Sequence, residues 1–95
     1  MNLQESTAEE SQLQVQVYPN PVVDVLHVII RGLEKKGRVT LLDMRGRSIR
    51  QWPVEPMGGF NQLKVPVQGL AAGLYLLQVE TADGILHRQK VMKQH

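Results

Sequence analysis

From Leu13 onward the chain alternates between short apolar runs and turn residues. Leu13, Val15 and Val17 interleave with Gln14, Gln16 and Tyr18, the period-two spacing of a strand with one buried and one polar face. Pro19-Asn20-Pro21 ends that run, because two fixed φ angles and two missing N–H donors cannot continue a ladder. Val25 to Ile30 is a second run, rich in β-branched residues and closed by Gly32, and Val39 to Asp43 is a third. Ser48 to Val54 is the fourth, and its Pro53 assigns it to a sheet edge or a strand end. Gln62 to Val67, Leu74 to Thr81 and Ile85 to Lys93 complete the series. Asp83-Gly84 predicts a two-residue type I′ hairpin turn, and Met44-Arg45-Gly46 a tight turn with a left-handed glycine. Gly58-Gly59 marks a further turn. No segment carries a capped helical stripe. The pattern predicts an all-β, immunoglobulin-like β-sandwich of about seven antiparallel strands.

Alternation also assigns the core. Val15, Val17, Leu26, Val28, Val39, Leu41, Ile49, Leu63, Val65, Leu70, Tyr75, Leu77, Val79 and Val91 are expected to point inward. The chain has 95 residues and 42% hydrophobic content, enough for one small core. Residues 1–12 are polar and acidic, with Glu5, Glu9 and Glu10 and no base. They are expected to form a flexible linker or tail ahead of a domain over 13–95.

Composition excludes several kinds of chemistry. Without cysteine there is no disulfide framework and no thiolate metal site. His27, His87 and His95 share no ligand spacing, so neither a metal nor an organic cofactor is expected. Ser6, Ser11 and Ser48 lie in no nucleophile elbow. Met44-Arg45-Gly46-Arg47 lacks the other glycines of a phosphate loop. An enzyme is therefore not expected. The overall charge of +2 combines an acidic start with an excess of bases after residue 12, which is expected to be a solvated basic surface, the alternative being a site for an acidic protein or anionic glycolipid partner. Nucleic acid is not expected, because the bases are dispersed and lack interleaved aromatics. The start of the chain has no secretory-signal pattern, so the sequence is expected to be the end of a longer precursor. No apolar run is long enough to form a membrane-spanning helix.

Four short motifs occur in a fixed order. They are Tyr18-Pro19-Asn20-Pro21, then Leu42-Asp43-Met44-Arg45-Gly46-Arg47, then Leu70 with Gly73-Leu74-Tyr75, and finally Lys90-Val91-Met92-Lys93. In order and spacing the set resembles the C-terminal sorting domains of cargo exported by the bacterial type IX secretion system. The resemblance extends over residues 13 to 95. It implies a non-catalytic export signal that passes from the periplasm through an outer-membrane translocon to the cell surface or the medium. It further implies an upstream cargo domain in the same precursor and a sortase-like peptidase that removes the domain. Through the cargo, it implies an indirect link to anionic lipopolysaccharide. Ser6-Thr7-Ala8 offers a processing region.

Within that resemblance, Gly46 and Gly73 are expected to supply backbone conformations that other residues tolerate poorly. Arg47 is expected to be solvated beside its turn, and Tyr75 to pack its ring inward with the hydroxyl on a partner. The last strand is expected to be a recognition edge. Its apolar members would anchor it to the sandwich, while Lys90 and Lys93 face an acidic receptor. The alternative is a cell-surface adhesion or carbohydrate-binding β-sandwich, which would use loops and Trp52.

Overall fold

The computed structural model describes residues 13–95, so the expected flexible tail over 1–12 lies outside the described residues. Seven strands follow in order: β1 Gln14–Tyr18, β2 Val25–Arg31, β3 Gly37–Asp43, β4 Ser48–Val54, β5 Phe60–Pro66, β6 Gly73–Thr81 and β7 Leu86–Lys93. They form a three-stranded sheet of order β1-β2-β5 and a four-stranded sheet of order β4-β3-β6-β7. Every pairing between strands is antiparallel. The chain changes sheet between β2 and β3, between β4 and β5, and between β5 and β6. That connectivity is immunoglobulin-like. Both prolines within strands stand on edges, Pro53 in β4 and Pro66 at the end of β5, where a missing donor breaks no ladder.

The inward faces of both sheets supply one core. Val22, Leu26, Val28, Ile30, Val39, Leu41, Val54, Val65, Val67, Tyr75, Leu77, Val79 and Val91 are its buried members. Leu13, Val15, Val17, Leu33, Ile49, Trp52, Leu63 and Leu70 pack against it at the margins. All the positions assigned inward by alternation lie in these two sets. Val22, Ile30, Val54 and Val67 are further core members that the alternation did not mark.

The β6–β7 hairpin differs from expectation in its turn. Thr81 N–H donates to Ile85 O at 2.9 Å, and Gly84 N–H donates to Thr81 O at 3.0 Å. The loop is therefore three residues, Ala82 to Gly84. Gly84 has φ 91°, and no non-glycine residue among those described has positive φ. A type I′ turn needs two left-handed positions, and a single glycine provides one. The β3–β4 hairpin repeats the arrangement, with Asp43 N–H on Arg47 O and Gly46 N–H on Asp43 O, both at 3.0 Å.

Candidate functional site

The first and last motifs meet. After β1 the chain leaves its sheet and runs along the outer edge of β7 before returning as β2. The Tyr18–Pro19 and Asn20–Pro21 bonds are cis. Asn20 Nδ2 donates to Lys90 O at 3.1 Å, and its Oδ1 accepts Met92 N–H at 2.9 Å. Val22 continues the contact as a short parallel bridge to Lys93. Its N–H donates to Met92 O and its carbonyl accepts Gln94 N–H, both at 2.8 Å. An asparagine amide carries a donor and an acceptor spaced like a peptide group. Asn20 thus stands in for backbone where flanking prolines remove the chain's own N–H groups. Val22 then buries its side chain completely, which fixes this connection to the core.

This junction corrects two expectations about the last strand. β7 is an edge strand as expected, but its outer backbone groups are open over only its first half. Met92 directs both of its groups away from β6, onto Asn20 and Val22. In an antiparallel ladder such residues alternate, so Leu86, Arg88 and Lys90 also face outward. Beyond the Lys90 carbonyl the edge is occupied. The second correction concerns side chains. Val91 and Lys93 point inward and are buried, whereas Lys90 and Met92 are exposed. The order basic, apolar, apolar, basic does not alternate, so a period-two strand cannot expose both lysines. Lys93 is only 5% exposed, and its Nζ donates to Gln94 O at 2.7 Å.

The second motif is a carboxylate-braced hairpin. Asp43 Oδ1 accepts the N–H groups of Arg45 and Arg47, each at 2.9 Å. Its Oδ2 accepts Arg47 Nε at 2.9 Å. The Arg47 N–H leads, followed by the Arg47 side chain and the Arg45 N–H, in holding the Asp43 carboxyl below its ordinary 3.8. Gly46 closes the turn at φ 90°. Arg47 is therefore tied to Asp43 as well as solvated. No local sequence pattern marks Asp43 for this role.

The third motif opens β6. Gly73 holds φ 145°, a value that side chains rarely adopt. Two residues on, Tyr75 is 9% exposed, and its hydroxyl donates to Ala71 O at 2.5 Å. The ring belongs to the core, and the hydroxyl holds the loop that delivers the chain into β6. Tyr75 pairs with Val91 of the last motif across the β6–β7 ladder. The third and fourth motifs are thus neighbours, and the first clamps the fourth from its other side.

The remaining chemistry is sparse. Trp52 is half-buried and packs against the core. The exposed aromatics Tyr18 and Phe60 are each engaged. Tyr18 stacks on His27 with centroids 5.2 Å apart, and Phe60 lies 5.0 Å beneath the Arg31 guanidinium. An open depression at the far end of the four-stranded sheet brings together Lys36, Arg38, Glu55 and Glu80. Its Thr81 hydroxyl is committed to Asp83 and Ile85. No three potential metal ligands cluster among the described residues.

The secretion system C-terminal sorting domain family matches residues 16–94, and the chain belongs to it. A solved structure of PorZ from Porphyromonas gingivalis is similar in fold. That protein is described as an essential bacterial surface component of the type IX secretion system. The similarity has a TM-score of 0.56 at 22% identity, over 85% of this chain and 11% of the PorZ chain. This chain therefore spans a small part of the length of that relative. No curated protein matches it.

Proposed function

We propose that the domain is a non-catalytic C-terminal export signal, which directs a cargo in the same precursor through the type IX outer-membrane translocon. The cargo passes through the periplasm and ends at the cell surface or in the medium. A sortase-like peptidase then removes or processes the domain. The observation that carries this reading is the family match over residues 16–94, which takes in all four motifs. The fold shared with PorZ, a type IX surface component, supports that secretion route. Tyr18 to Pro21, Gly46, Arg47, Gly73, Tyr75 and Lys90 to Lys93 act mainly by building the folded signal: Asn20 ties the first motif to the backbone of the last, Tyr75 pairs with Val91, and Gly46 and Arg47 shape the hairpin whose Asp43 pairs with Tyr75. The test is a periplasmic reporter fused ahead of the domain, in a cell that has the type IX machinery. The expected result is reporter at the surface or in the medium, dependent on the domain. Retention of a folded fusion in the periplasm overturns the reading.

A further inference from the structure

We propose that the open half of β7, Leu86 to Lys90, docks an extended acidic segment of a partner protein as a fifth strand of the four-stranded sheet. The partner's place in the export machinery rests on the export-signal reading; the docking chemistry rests on the edge itself. Four strands form the edges of the two sheets, and they differ in what they can accept. β4 contains Pro53, and its pairing with β3 shifts register between Leu41 and Leu42. β5 ends on Pro66. β1 has five residues and no charge. β7 has eight residues, no proline and an unbroken register with β6.

Two observations identify what this edge accepts. The chain already adds strand-like groups to it, since Asn20 and Val22 take the outer groups from the Lys90 carbonyl to Gln94 N–H. An incoming strand continues that pattern over the Arg88 N–H and carbonyl and the Lys90 N–H. No other hydrogen bond reaches these groups among the described residues. The second observation is charge. Arg88 and Lys90 project on the solvent face beside Leu86, which is 50% exposed. Arg88 Nε rests on the neutral Gln78 Oε1 at 3.0 Å, and among the described residues neither cation has a salt bridge. Carboxylates on alternate residues of an added strand stand opposite both cations.

The same geometry disfavours a second copy of this chain. Antiparallel self-pairing centred on Arg88 sets Arg88 against its own counterpart and leaves Lys90 facing Leu86. Like charges directly opposite destabilise a strand pair. The edge is open to strand addition, yet selects against itself.

The test titrates the full ¹⁵N-labelled chain with a blocked nine-residue peptide of alternating threonine and glutamate. The same peptide with lysine in place of glutamate is the control. The glutamate peptide is expected to shift and protect the amides of Arg88 and Lys90, and the lysine peptide to leave them unchanged. Arg88→Pro removes an outward N–H without removing a bond to β6, and is expected to weaken binding at least tenfold. Arg88→Gln keeps the N–H and is expected to weaken binding less. If Arg88→Pro melts early, Lys90→Gln and the salt dependence of binding decide in its place. No response at millimolar peptide overturns the proposal. So does an equal response to both peptides, a response on another edge, or concentration-dependent dimers through β7. Export of the wild-type fusion is read separately. A domain that exports but does not bind removes this inference alone, whereas one that binds but does not export removes the export-signal reading alone.

Discussion

Asn20 shows how a side chain can do the work of a strand. Prolines flank it and provide no N–H, so the amide supplies the donor to Lys90 O and the acceptor for Met92 N–H. Asn20→Ala removes both bonds and is expected to destabilise the domain by about 1–3 kcal/mol. Faster hydrogen exchange at the Met92 amide and a lower melting temperature are the readouts. Asn20→Asp should not rescue, because it keeps the acceptor but turns a carboxylate oxygen towards the Lys90 carbonyl. Asp43 gives a prediction with a pH sign. Its folded carboxyl titrates below the ordinary 3.8, chiefly through the Arg47 N–H. The stabilisation it contributes is therefore fully present above that ordinary value. It is lost as pH falls through the depressed folded value. Melting temperatures of the wild type and Asp43→Asn should differ at neutral pH and converge as the solution is acidified below 3.8. A constant difference across that range would show that the carboxylate charge is irrelevant to the hairpin.

At the scale of elements, β7 unites the core and the junction. Val91 is 1% exposed, and Met92 and Gln94 hold the connection through Val22. Deleting residues 94–95 removes the Gln94 N–H to Val22 O bond and the carbonyl that accepts Lys93 Nζ. The expected cost is about 1–3 kcal/mol, with the fold retained. Deleting residues 91–95 also removes a core valine, the Met92 partner of Asn20 and both partners of Val22, so the domain should not fold. Circular dichroism and thermal melts distinguish the two. The strands themselves were legible because alternation at Leu13, Val15 and Val17, and again at Leu77 and Val79, follows directly from the pleat. Val54 and Val67 were less legible because each follows a proline at a strand end. Val22 lies in a connection where no periodicity applies, and only the path of the chain along β7 accounts for its burial. The Asn20 clamp joins positions 70 and 72 residues apart, and no local pattern encodes such a contact. Lys93 was misplaced because residue type outweighed parity. From inward Val91 the period-two rule puts Lys93 inside, and the Gln94 carbonyl makes that burial tolerable.

For the whole molecule, the four motifs build one folded surface rather than four separate labels, the second joining the rest where Asp43 pairs with Tyr75 across β3 and β6. Tyr75 lies opposite Val91, Asn20 closes the outer side of that strand, and Gly73 admits the chain to β6. A receptor that reads this surface requires the fold to be intact, so export and stability should move together for the buried members. Tyr75→Ala removes a core ring and is expected to cost about 3–5 kcal/mol. Tyr75→Phe loses only the bond to Ala71 O, at about 1 kcal/mol. A Cβ at Gly73 meets no atom within 4 Å, so the expected penalty of Gly73→Val comes chiefly from φ 145°. Secretion of the fused reporter should fall least for Tyr75→Phe and most for Tyr75→Ala and Gly73→Val, following each variant's melting curve. The discriminating measurement is export at two temperatures. If stability is the cause, cooling should restore secretion by the two severe variants as their folded fraction recovers. A Tyr75→Ala domain that is folded at the lower temperature and still retained would show that the tyrosine is read directly by the export machinery.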